Sequence, residues 1–178
     1  MSVRGVLAVH SAPPALCPHI EWAVAGVLGV AVNLPWVDQP AAPGSVRAEL
    51  SWQGRPGTSA AITSELAGWN RLRFEVTEDA SPGCDAVRYS CTPALGVFSA
   101  VVSANGDILV PENRLRAAMT VAAATASGVL RQAARPGERA GTLEDELARL
   151  LGQPWDDELE PFRCAAEGAP VRWLHATG

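Results

Sequence analysis

Four residues near the start of the chain, His10, Cys17, His19 and Glu21, bring together a thiol, two imidazoles and a carboxylate. Cys17 precedes Pro18 at the expected start of a helix. There, free N–H groups and the positive end of the helix dipole lower a thiol's pKa. His10, which closes an apolar strand-like run, and His19 are the candidates to orient or deprotonate the thiol, as a cysteine nucleophile requires. Such a pair would serve acyl transfer or thiol redox chemistry. The same residues, with His175 or Cys164, also offer imidazole and thiolate ligands to a metal. Cys-x-His is not a zinc spacing and no C-x-x-C pair occurs, so neither a metal nor a cofactor is assigned. Both readings compete with the ordinary roles of these side chains. A free cysteine usually packs as a small hydrophobe, and His19 falls on a helix surface.

A second cluster lies toward the end of the chain. Asp156, Asp157, Glu158 and Glu160 sit between Trp155 and Phe162. They lack the alternation and glycine of an EF-hand loop. Their place after Pro154 suits the first turn of a helix, which the dipole makes receptive to carboxylates. Trp155, Asp156, Asp157 and Phe162, with Trp173 and His175, form a candidate surface for a protein partner or a small ligand. The aromatics either lay the tail against the core or line a pocket beneath it.

Composition removes many alternatives. All 14 basic residues are arginine. Without a lysine there is no Schiff base, no P-loop, no protein-kinase site and no Ser-Lys hydrolase. A net charge of −5 argues against nucleic acid as a partner. Neither G-x-S-x-G, H-E-x-x-H nor a dinucleotide fingerprint occurs. The longest apolar run, from Trp22 to Leu34, is broken by Gly26, Gly29 and Asn33. It falls short of the roughly 20 residues a bilayer needs. With no secretory signal in view, a cytoplasmic protein with reduced thiols at Cys17, Cys84, Cys91 and Cys164 is expected.

The elements that must position these residues follow from periodicity. A chain of 178 residues, 48% apolar, is expected to form one domain over 1–178. Val3 to His10 reads as a buried strand. Ile20, Ala23, Val24, Val27 and Leu28 mark one face of a helix, which Gly29 terminates. Alternation predicts strands over Val30 to Trp36 and Val46 to Gln53, a helix from Thr58, and a strand over Leu72 to Val76. The first half, 1–78, is thus β-α-β-β-α-β, the order of a ferredoxin-like unit. In the second half, 85–151, two strands precede an Asn105-Gly106 turn read as type I′ and a short return strand. Two helices then follow, the second opened by a capping box from Thr142 to Asp145. Residues 132–141 read as a mobile connection, 152–178 as an irregular tail packed on the core, and Val171 to Leu174 as a short strand. The expected fold is α+β: an antiparallel sheet with a meander in its second half and helices mainly on one face.

Several strings are distinctive: 9–22 (VHSAPPALCPHIEW), 49–52 (ELSW), 72–78 (LRFEVTE), 155–161 (WDDELEP) and 168–175 (GAPVRWLH). Over essentially the whole chain they resemble an uncharacterised family of actinobacterial proteins, known as a domain of unknown function. The resemblance implies a cytoplasmic protein of a GC-rich bacterium and carries no activity or catalytic residue. The residues therefore point first to a non-enzymatic protein that binds a protein partner or small ligand. A homodimer that covers open sheet edges fits that reading. The alternative is a thiol-dependent enzyme using Cys17 with His10 or His19.

Overall fold

The protein is described by a computed structural model covering residues 2–127 and 142–164. Along the chain run β1 (Val3–Ala12), α1 (Cys17–Leu28), β2 (Val37–Asp38), β3 (Val46–Gly54), α2 (Thr58–Leu66) and β4 (Arg73–Glu78). Then come β5 (Ala86–Thr92), β6 (Gly96–Val102), β7 (Ile108–Leu109), α3 (Glu112–Ala126), α4 (Leu143–Leu151) and α5 (Gln153–Cys164). The seven strands form one antiparallel sheet in the order β2-β3-β1-β4-β5-β6-β7. Mixed helix and antiparallel sheet is the expected α+β class, and β5, β6 and β7 are a meander.

Alternation along the strands gives the sheet two different faces. Leu7 pairs with Val76 and Val9 with Phe74, so these four point the same way. They meet Ile20 and Val24 of α1 and Ile62 and Leu66 of α2 in one core. Burying each such side chain is worth about 1.5–3 kcal/mol. Gly5 lies opposite Trp52 across β1 and β3. A Cβ at Gly5 would come within 2.2 Å of the indole, so only glycine admits this tryptophan.

Glu75 pairs with Ser90, and Ser90 with Phe98, on the opposite face. There α5 lies on the sheet, its Leu159 fully buried and its Trp155 ring 5.2 Å from that of Phe98. The expectation of helices mainly on one face is corrected: α1 and α2 cover one side and α5 the other. The reason is that Ser90, Phe98 and Ala100 leave this second face with buried surface of its own that needs cover. Among the described residues three helices follow the meander where two were expected, because residues 153–164, read as irregular tail, form α5.

Two local expectations also change. Val30 to Trp36 is not a strand, and only Val37–Asp38 pairs, with Arg47 and Val46. Gly29 turns the chain at φ +70. Glu21 Oε1 then accepts from Leu34 N at 2.8 Å and Trp36 Nε1 at 3.0 Å, satisfying the segment without a ladder. The turn at Asn105-Gly106 is not type I′, since Gly106 alone enters the left-handed region, at φ +88. Ser103 Oγ accepts from Asn105 N and Asp107 N and widens the turn. The capping box forms as expected: Thr142 Oγ1 accepts from Asp145 N, and Asp145 Oδ2 from Thr142 N. The expected strand at Val171 to Leu174 and connection at 132–141 lie outside the described residues.

Candidate functional site

The densest polar chemistry lies between the sheet and α5, centred on Glu75 in the middle of β4. Strand alternation turns Glu75 away from the core of Phe74 and Val76, and α5 roofs it over. Its carboxylate is buried and fully engaged. Oε2 meets His10 Nε2 at 2.7 Å and Arg163 Nε at 3.0 Å. Oε1 accepts from Arg163 Nη2 at 2.7 Å, Arg88 Nη2 at 3.0 Å and Ser90 Oγ at 3.0 Å. Both arginines reach on to Asp156 in the first turn of α5, Arg163 at 2.7 Å and Arg88 through a second close ion pair.

Burial by itself pushes the Glu75 carboxyl up. The hydrogen bonds from His10 and Arg163, with their charges, outweigh it and hold Glu75 well below the usual carboxylate range. Burial would likewise push the Arg163 guanidinium down, and the Glu75 and Asp156 carboxylates together hold it above its ordinary value. Glu75 is thus fixed as an anion and Arg163 as a cation. A charge network of this kind is strong only when every member is satisfied. Gln39, also buried, ties it to the neighbouring loop: its Nε2 donates to His10 O at 2.6 Å and Phe162 O at 3.1 Å.

Beside the network opens a cavity of 240 Å³, lined by β1, β3, Pro35, Val37, Phe162 and Arg163. Ala8, Val37 and the rings of Pro35 and Phe162 make it largely apolar. His10, Arg47, Glu49 and Arg163 are its charged or titratable lining. His10 and Arg163 are already fixed by Glu75, which leaves Arg47 as the uncommitted cation. Its Nε is buried without a hydrogen-bond partner, and it has no ion pair among the described residues. An orphaned buried donor costs about 1–3 kcal/mol until something accepts from it.

The N-terminal cluster does not converge. His10 is turned to Glu75, while Cys17 opens α1 and His19 is exposed. Among the described residues no hydrogen bond joins Cys17 to either histidine. A turn of 3-10 helix precedes α1, so the Cys17 N–H is already spent on Pro14 O. Burial, and then the Glu21 carboxylate, push the Cys17 thiol up, against a smaller opposite effect of its backbone hydrogen bond. Among the described residues no three of His, Cys, Asp and Glu are grouped to hold a metal.

The aromatic and acidic residues of α5 are mostly turned inward. Trp155 donates from Nε1 to Gly96 O at 3.0 Å, and Asp156 joins the arginines. Phe162 carries the Arg73 guanidinium 4.6 Å above its ring, while Asp157, accepting from Gln153, and Glu160 are exposed. Trp173 and His175 lie outside the described residues. Sequence reasoning missed Glu75, Arg88, Arg163, Gln39 and Arg47. The alternation of Arg71, Arg73 and Glu75 with apolar residues marks a strand and does not say what covers its polar face. The available signal was the match between a carboxylate in β4, an arginine in β5 and an arginine closing an acidic helix.

The family described as "Protein of unknown function (DUF3145)" matches residues 6–176. Neither a curated protein nor a solved structure matches the chain.

Proposed function

The chain belongs to the DUF3145 family, and on that premise we propose that it is a non-enzymatic binding protein for a small molecule with an apolar body and one acidic group. The carrying observation is the orphaned Nε of Arg47 in the lining of a largely apolar cavity. Ala8, Pro35, Val37 and Phe162 suit an apolar body, and Arg47 suits a carboxylate or similar acid. The Glu75 network supports the reading from behind. It holds His10 and Arg163 in place without a ligand, so binding costs little reorganisation.

The thiol alternative draws less support, since among the described residues no base hydrogen-bonds to Cys17 and its thiol is pushed up. The order β1-α1-β2-β3-α2-β4, with β1 between β3 and β4, supports reading residues 1–78 as a ferredoxin-like unit. A cytoplasmic, actinobacterial origin fits the free cysteines Cys17, Cys84 and Cys91 and the absence of lysine. Among the described residues no helix is long and apolar enough to cross a membrane.

Native and denaturing mass spectra of freshly purified protein, followed by calorimetric titration with hexanoate and phenylacetate, test the proposal. Expected are extra mass that denaturation removes, or saturable binding of the added acids. Arg47→Gln should weaken either by about tenfold, the scale of one charge-assisted hydrogen bond. No bound mass and no titration, or an unchanged affinity in Arg47→Gln, overturns it.

A further inference from the structure

Where β1 ends and β4 begins, the rim of the sheet holds a separate cavity of 370 Å³. Its walls are Pro13, Pro93 and the loop of Ala42 to Ser45, and its polar lining is Ser11, Ser45, Asn70, Arg71 and Arg73. Among the described residues no carboxylate takes part in that lining. In a chain of net charge −5, a cavity lined by two arginines, of which only Arg73 has an ion-pair partner among the described residues, runs against the prevailing sign.

The donors there are unequal. Ser11 Oγ donates to Ser45 Oγ at 3.2 Å, and Ser45 Oγ to Ala42 O at 2.6 Å, so the hydroxyls shape the wall and are spent. Arg73 is held on two sides, by Glu158 at 3.2 Å and by the Phe162 ring, yet its Nε is buried without a hydrogen-bond partner. Arg71 and Asn70 are exposed, and their side chains have no partner among the described residues. Arg71 and Asn70 are therefore the donors open to the cavity, and the Arg73 Nε lies buried behind them.

A single guanidinium fork matches the two oxygens of a carboxylate. A phosphate carries three terminal oxygens and close to two charges, and takes donors from several directions. Arginine is the residue best suited to that geometry. Pro13, Pro43 and Pro93 fix their own φ angles and keep the walls in place before a ligand arrives.

We propose that this cavity binds the phosphate group of a small phosphorylated metabolite, with Arg71 as its main cation, the Asn70 amide as a second donor and the Arg73 charge behind them. The volume exceeds what inorganic phosphate fills, so a phosphomonoester with a compact polar body binds more tightly than the bare ion. The site stands apart from the cavity at Arg47.

The test is calorimetric titration of the full chain near pH 7 with inorganic phosphate and with glucose 6-phosphate. Saturable binding of both is expected, with the sugar phosphate tighter. Arg71→Gln should weaken it by about tenfold with an unchanged circular dichroism spectrum. Arg47→Gln should leave it unchanged, which separates this site from the other cavity. The proposal is overturned if neither compound saturates, if Arg71→Gln binds like the parent, or if Arg47→Gln and Arg71→Gln lose binding equally. The last result would mean general attraction of anions by surface charge.

Discussion

Helix α5 and the α3–α4 pair are both amphipathic and meet different fates. On α4, Leu143, Leu147, Leu150 and Leu151 form a sharp apolar stripe, yet none of them is buried. On α3, Ala118 is the one buried residue, and Met119 stands 57% exposed. Only Gly152, at φ +79, separates α4 from α5. Beyond it, the helix buries Leu159 completely and Arg163 almost so. The difference lies in what the sheet offers. The face under α5 presents Glu75 and Arg88, to which Arg163 and Asp156 are complementary. An apolar stripe makes a helix amphipathic, while charge complementarity decides which amphipathic helix is fastened to this sheet, and in what register.

The sharpest way to break this contrast is to remove its centre. Glu75→Ala leaves Arg88 and Arg163 buried without their shared carboxylate. Breaking a buried ion pair in this one-sided way costs about 3–5 kcal/mol. A lower urea midpoint at an unchanged m-value would report it. An unshifted midpoint would mean that the network does not fasten α5. The pH dependence follows from the same group. The folded carboxyl lies below its unfolded value of about 4.3. Its contribution is therefore complete above that value and is lost as the pH falls below it. Glu75→Gln should flatten that part of the acid titration, which no substitution on α3 or α4 should do.

The next effect tests the apolar half of the same anchor. Leu159 is 0% exposed, and Leu159→Ala should cost about 2–5 kcal/mol through lost burial and the cavity left behind. A loss under about 1 kcal/mol would show that α5 is held by charge alone.

What was legible in the sequence follows the same division. Strands and helices that face the α1–α2 core were readable, because one buried face per element leaves a clean period: Leu7, Val9, Phe74 and Val76 on strands, Ile20 and Val24 on a helix. The capping box at Thr142 and the glycine stop at Gly29 were readable because each is a local hydrogen-bond pattern. The candidate site was not. Glu75, Arg88 and Arg163 come from three elements, 88 residues apart at the extremes, and polar alternation on a strand does not say whether water or a helix covers it. Cys17, His10 and His19 stand close in sequence, but His10 is turned to Glu75, and among the described residues no hydrogen bond joins Cys17 to either histidine. Val30 to Trp36 alternated like a strand, yet the Glu21 side chain, far from that pattern, took its hydrogen bonds.

The smallest expected effect is the most discriminating for the contrast itself. Leu151 ends α4 one residue before Gly152 and is 48% exposed. Leu151→Ala therefore removes little buried surface, and alanine is the best helix former in its place. The urea midpoint should shift by no more than about 0.5 kcal/mol equivalent, as for an exposed site outside any charge network. Chemistry is the same in Leu159→Ala and Leu151→Ala, and both helices flank one glycine, so the difference between the two values isolates what the sheet contributes. A loss above about 1 kcal/mol at Leu151 would mean that the α4 stripe is covered in solution. The α3–α4 pair would then be fastened as firmly as α5, by apolar contact in place of charge.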